Sequence, residues 1–343
     1  SNGICSLHPN VDRLVLTCKM DIDTQGEIYN YEVYPSVISS KRRMSYNEIN
    51  GGDDFGEFTE MIQNMLELSE VLEAKRHKNG SIDFDSDESA FLVDHTGKVL
   101  DVFGRSQGKS EKMIETFMVS ANESVAKYCK HMELPILYRV HEKPDRDKMQ
   151  DFSHLLRILG YRLKGNLADM HPRTLQNVLR YFEGKPESMI VSRLMLRSMK
   201  KARYTHQPLG HFGLALDDYS HFTAPIRRFS DLHLHRTLRH YLFENDYSSY
   251  HEDLLFTQQA GEHISAKERD ILEAEREVEK LKKAEFMADK IGERYEGIIS
   301  GVSNYGLLVE LLNTVEGVVL LRSMDDYFYT VDPITQRLSS ERT

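Results

Sequence analysis

A chain of 343 residues that is 40% hydrophobic and 29% charged can bury a core, and it is long enough for one large domain and a small one. No apolar run approaches the roughly 20 residues a membrane helix needs and no basic-then-apolar leader opens the sequence, so the expectation is a cytoplasmic protein with no membrane partner. A net charge of −10 excludes coating of nucleic acid by general basicity, so any nucleic-acid site must be local; Cys5, Cys18 and Cys129, in no C-x-x-C spacing, exclude a disulfide framework or zinc knuckle.

In chain order, Leu14, Leu16, Cys18 and Met20 alternate with Val15, Thr17 and Lys19, and Asp23 to Gly26 supply a turn before Ile28 to Val33, which predicts a hairpin. An acidic, glycine-bearing breaker then leads into a helix near Met61 to Lys75. Gly80 to Phe84 and Ala90 to Val102 read as two strands joined by an acidic turn. Ile114, Met118, Ala121, Val125 and Tyr128 recur every three or four residues and give one apolar face to a helix from Lys109 to His131. Further helical patterns cover 151–159, 172–183 and 186–201. Arg193, Arg197, Lys200, Lys201 and Arg203 make the last a basic face, either solvated or lining a phosphate groove.

Residues 211–238 are the most informative stretch. Leu214 to Leu216 read as a short buried strand entering a polar turn at Asp217. A helix is predicted next, with Thr223 or Ala224 at its N-cap and Pro225 in its first turn, where a missing N–H costs nothing. Its free N–H groups meet Arg227 and Arg228, whose planar forks suit phosphate oxygens. Asp231 lies four residues after Arg227 and three after Arg228, so an ordinary intrahelical pair competes with the phosphate clamp. His233 and His235 point to different sides of a helix, and no metal site is read from the histidines. A long charged helix follows from His263 to Ile291, its near-heptad apolar stripe read as a packing face rather than a dimer seam. From Gly292 the character turns to β, with strands at 294–302, 306–311 and 316–319.

Tyr219, Thr223, Pro225, Ile226, Arg227 and Arg228 stand where the ribonuclease II / ribonuclease R family carries a tyrosine and a Thr-Ser-Pro-Ile-Arg-(Arg/Lys) segment, with Ala224 replacing the serine. MIETFMVSANESVA, LYRVHEKP and LMLRSMKKARY resemble family segments in the family's order, and residues from Arg294 resemble the opening strands of an S1 domain. The resemblance implies an α+β fold. Residues 1–291 would be the C-terminal part of an RNB catalytic domain, a mixed sheet with helices, and 292–343 the start of an S1 (OB-fold) barrel. It further implies part of a processive 3′-to-5′ exoribonuclease that acts as a monomer on single-stranded RNA, releasing nucleoside 5′-monophosphates by a two-metal-ion mechanism with Mg²⁺. The family's cluster of four aspartates has no counterpart: Asp21 and Asp23, Asp53 and Asp54, Asp83, Asp85 and Asp87, and Asp217 and Asp218 all sit in turn-like settings. A fragment is therefore expected, inactive by itself, with the metal ligands supplied by a preceding part. The competing expectation is a non-catalytic RNA-binding scaffold, a pseudo-nuclease.

By the same resemblance Arg227 contacts the scissile phosphate, Arg228 and Thr223 hold neighbouring phosphates or the helix start, and Tyr219 packs against the sugar-base end. Phe91 would clamp bases, the alternative being a core Phe in a strand. Glu115 and Asn122, seven apart and so on one helical face, would bond ribose hydroxyls. Glu275 falls near the exit of the terminal nucleotide. Tyr305, with Tyr327, Phe328 and Tyr329, would stack bases on the barrel, while Leu307 and Leu320 occupy places often filled by an aromatic and a histidine.

Overall fold

The computed structural model describes residues 2–52, 54–82, 88–167, 169–324, 328–332 and 337–341. The elements begin with strands β1 (Asp12–Ile22) and β2 (Ile28–Ser39), helices α1 (Tyr46–Gly51) and α2 (Thr59–Asn79), strands β3 (Glu88–Val93) and β4 (Val99–Arg105), and helix α3 (Lys109–His131). Strand β5 (Tyr138–Val140), helices α4 (Arg146–Ile158), α5 (Pro172–Phe182) and α6 (Ser188–Ser198), and strand β6 (Arg203–Thr205) come next. Helix α7 (Phe229–Thr237) continues as a π-helical segment to Phe243, and helix α8 (Tyr250–Ala288) leads to strands β7 (Gly297–Ser303), β8 (Gly306–Leu311), β9 (Glu316–Leu320), β10 (Phe328–Asp332) and β11 (Arg337–Glu341). The chain divides into two compact units, one of residues 1–82, 107–142 and 201–268, the other of 83–106, 143–200 and 269–343.

In the first unit β1 and β2 form the expected antiparallel hairpin, with Leu14 opposite Val37 and Cys18 opposite Val33. Its turn closes because the Asp23 carboxylate accepts from the N–H groups of Gln25 and Glu27. Helix α3 carries the core: its Val125, Ala126 and Cys129 pack with Leu134, Ile136, Tyr138 and Val140 from the chain that follows, and with Phe222, Leu234, Leu238 and Tyr241 from the region of α7. A hydrophobic stripe at three- and four-residue spacing thus seats one helix under the whole informative stretch. Helix α2 ends at Gly80, whose φ of 105° is the left-handed cap conformation. The strand expected from Gly80 to Phe84 does not form at its described positions: 80–82 are this cap and an extended link whose Ile82 N–H bonds the Gly213 carbonyl, and 83–87 lie outside the described residues.

The second unit holds the β3–β4 hairpin, the helices α4, α5 and α6, and the β-rich C-terminal part. Met149 and Leu156 of α4, Leu175 and Val178 of α5, and Val191 and Met195 of α6 have no exposed surface, and α6 packs against both α4 and α5. Strands β7, β8 and β9 make an antiparallel sheet in that order, and β10 pairs with β11. The basic stretch is not simply a solvated face. Arg193 donates to the Ser300 carbonyl at 2.6 Å and to the Glu310 carboxylate at 2.8 Å, tying α6 to the sheet, and α6 ends at Ser198, so that Arg203 lies on β6 in the first unit.

Candidate functional site

The stretch around the two arginines lies in the first unit and departs from its predicted local structure twice. Residues 212–214 are a 3₁₀ turn rather than the start of a strand: the His211 ring accepts from the Leu214 N–H, Ala215 takes a φ of 53°, and His211 and Leu216 bond back to back across the loop. Helix α7 begins at Phe229, not beside Pro225. Pro225, Ile226 and Arg227 form a turn in which the Ala224 carbonyl accepts from the N–H groups of Arg227 and Arg228. What displaces the helix start is Asp231. Fully buried in the first turn of α7, its carboxylate accepts from the Ala224 N–H at 2.7 Å, from Nε and Nη2 of Arg228 at 2.9 and 2.8 Å, and from the Ser230 hydroxyl at 3.1 Å. An acid in the first turn also suits the helix dipole.

The rest of the loop is tied from beneath. Asn122 on α3, 2% exposed, donates to the Tyr219 hydroxyl at 3.1 Å and accepts from the Phe222 N–H at 2.9 Å. The Tyr219 carbonyl accepts from the Arg139 N–H, the Ser220 hydroxyl donates to the Leu137 carbonyl, and the Phe222 carbonyl lies 2.8 Å from Nε2 of His235. The Tyr219 carbonyl and both backbone groups of Phe222 and of Ala224 are therefore bonded within the scaffold. Ile226 and Arg227 alone of this turn project, Ile226 at 62% exposure. Among the described residues the Arg227 side chain makes no ion pair or hydrogen bond.

This outcome separates the two arginines. Arg228 is the paired one, through a bidentate fork to a buried carboxylate; Arg227 is the free, exposed cation. Beside them His221 lies 2.8 Å from the Tyr204 hydroxyl through Nδ1, and its ring meets those of Tyr204 and Tyr219 edge-on. Burial, reinforced by the Arg228 and Arg139 charges, holds the His221 pKa down at about 2; burial with His141 and Arg139 holds His211 at about 3. Both rings are neutral at ordinary pH. The Arg139 guanidinium sits 4.7 Å over the Tyr204 ring and donates to Glu268 at 2.6 Å. None of this support was visible as spacing, since its members come from α3, β5, β6 and α8; only the position of His221 two residues from Tyr219 hinted at it.

The other expected site residues fall as follows. Tyr219 and Asn122 are buried and bonded to each other, which makes them positioning residues of the loop rather than surfaces for a sugar. Glu115, on one face with Asn122 but seven residues earlier, is exposed. The Thr223 hydroxyl is enclosed and has no hydrogen-bond partner among the described residues, and it does not cap α7. Phe91, in the second unit, packs half-buried on Val99, Val102 and Val315. Glu275 on α8 is exposed, and Tyr305, at the β7–β8 turn, is 61% exposed. Tyr327 lies outside the described residues, as do the side chains of Phe328 and Tyr329. Among the described residues no group of three or more His, Cys, Asp or Glu side chains is placed to hold a metal ion.

The RNB domain matches residues 1–244 and the S1 RNA binding domain residues 288–339, so the chain belongs to the RNB family and carries an S1 segment after it. Among curated relatives it is 39% identical to Ribonuclease R 1 of Lactococcus lactis over 96% of its own length and 41% of that protein's. It is 40% identical to Ribonuclease R of Thermotoga maritima over 96% of its length and 48% of the relative's. The chain thus spans about half the length, or less, of the curated relatives it matches. The structure of Mycoplasma genitalium RNase R in complex with ribose methylated single-stranded RNA superposes with a TM-score of 0.94 at 28% identity, covering 100% of this chain and 55% of that one.

Proposed function

We propose that this chain is part of a 3′-to-5′ exoribonuclease that threads single-stranded RNA, and that Arg227 is the residue through which it grips the phosphate being cut. The observation that carries this reading is the contrast within the pair: the buried Asp231 carboxylate takes Arg228 together with the Ala224 N–H and so fixes the turn, and one exposed guanidinium is left at its tip. A fixed cation aimed at developing negative charge stabilises a transition state without reorganising at the moment of reaction. Relatives named ribonuclease R and a neighbour solved with single-stranded RNA support the substrate class. Release of nucleoside 5′-monophosphates, processivity and action as a monomer belong to the same proposal.

The described residues do not fit a magnesium site. Any Mg²⁺ in the reaction would take its ligands from outside these residues, so the 343-residue chain by itself is proposed to bind RNA without hydrolysing it. The test is trimming of an end-labelled single-stranded RNA by the full-length protein with Mg²⁺. Arg227→Ala should slow 3′ trimming about 100-fold; trimming at the wild-type rate overturns the role of Arg227, and hydrolysis by the 343-residue chain overturns its proposed inactivity.

A further inference from the structure

Helix α7 and the beginning of α8 enclose, within the first unit, an open cleft of about 470 Å³ whose walls include Phe229, His233, Arg236, Thr237, Asp253 and Phe256. We propose that this cleft is a nucleotide-binding site, seating a base with N–H donors against Phe229, Phe256 and the ring nitrogen of His233 while Arg236 holds the phosphate.

Four features define that ligand. First, Phe229 and Phe256 are each 44% exposed on a cleft wall, and their rings meet at 6.4 Å; exposed aromatic faces are where bases stack. Second, the planes of Phe229 and His233 are parallel within 7°, with centroids 6.3 Å apart, so a flat ring laid on one is aligned with the other. Third, His233 is 8% exposed and, among the described residues, its Nε2 has no hydrogen-bond partner. The neutral imidazole carries one N–H donor and one lone-pair acceptor. Burial favours this neutral form. An acceptor enclosed at a cleft wall calls for a donor, and the ring and amino N–H groups of a nucleobase are flat donors of that kind. Fourth, Arg236 is exposed and, among the described residues, makes no ion pair or hydrogen bond, which leaves its fork for an anion. The carboxylate of Asp253 is occupied by the hydroxyls of Tyr241 at 2.5 Å and Ser249 at 2.9 Å, so the one acid on the wall is already partnered. The cleft volume lies in the range of small-ligand sites, roughly 300–1,000 Å³.

The same chemistry is offered by a free mononucleotide and by the end of an RNA strand. Calorimetric titration of the 343-residue chain with AMP, adenosine and a hexanucleotide separates them, and it needs no hydrolysis, so it stands apart from the exoribonuclease reading. AMP should bind saturably; Arg236→Gln should weaken AMP about tenfold while leaving adenosine unchanged, and Phe256→Ala should weaken both. His233→Phe, checked by circular dichroism, should also weaken both; the two exposed positions carry the test if that variant fails to fold. Competition between the hexanucleotide and AMP identifies the strand end as an occupant, and its absence identifies the free mononucleotide. The proposal is overturned if AMP shows no saturable binding, or if its affinity responds to Arg227→Ala and to none of these three variants.

Discussion

Two adjacent arginines with the same intrinsic chemistry have opposite settings, and a single carboxylate decides which is which. Asp231 gathers an amide, a guanidinium fork and a hydroxyl in the protein interior, where each bond is worth more than at the surface and an unpaired charge is costly. Removing one partner leaves the other buried and uncompensated, so Asp231→Asn should lower unfolding free energy by about 3 kcal/mol in a urea titration. Arg227→Lys, at an exposed and unpaired position, should move it by less than about 0.5 kcal/mol. Equal losses from the two variants would contradict the division of roles. Asn122 belongs to the same account: Asn122→Ala strips the Phe222 N–H and the Tyr219 hydroxyl of their partner in the interior and should cost about 2 kcal/mol.

At the scale of elements, periodic apolar faces were legible and places where the chain reaches across space were not. Helix α3 runs from Lys109 to His131 as its stripe predicts, because its register is set by the core it covers. The start of α7 could not be read in this way. Proline in a first turn is a sound local signal, yet a carboxylate six residues later takes the Ala224 N–H and holds 225–227 as a turn. The arginine pair was legible as a candidate site; the assignment of Arg228 to structure and Arg227 to the surface was not, because both lie within helical reach of Asp231. The long helix α8 shows the same limit. Its Gly261 comes so close to β6 that an added Cβ would stand 2.9 Å from the Tyr204 carbonyl oxygen, and one turn on the Ser265 hydroxyl accepts from the Tyr204 N–H at 2.8 Å. Helix propensity alone favours alanine over glycine by about 1 kcal/mol. The contact reverses that preference: Gly261→Ala should lower the melting temperature, and a rise would show that the helix can move off the strand.

For the molecule as a whole, the buried histidines set its response to acid. His211 and His221 have folded pKa values of about 3 and about 2 against an ordinary 6.5, through burial first and neighbouring positive charge second. Between those values the unfolded chain binds protons that the folded chain does not, so stability is full above pH 6.5 and falls as the pH drops through the window from 6.5 toward 3. Each ring contributes a slope of up to about 1.4 kcal/mol per pH unit in that window. The carboxylates whose pKa is lowered, among them Glu48, Asp94, Asp169 and Asp246, lie at the surface and titrate below their ordinary values of 4.5 and 3.8, so they act at the acid end of the range. Loss of stability between pH 6.5 and 5 is therefore the signature of the histidines. Urea titrations at half-unit pH steps should show a declining midpoint across that interval in the wild-type chain. The decline should be shallower in His221→Gln, whose side chain can still meet the Tyr204 hydroxyl but takes up no proton; parallel curves for the two proteins would mean that His221 is not the neutral, enclosed ring from which this slope arises.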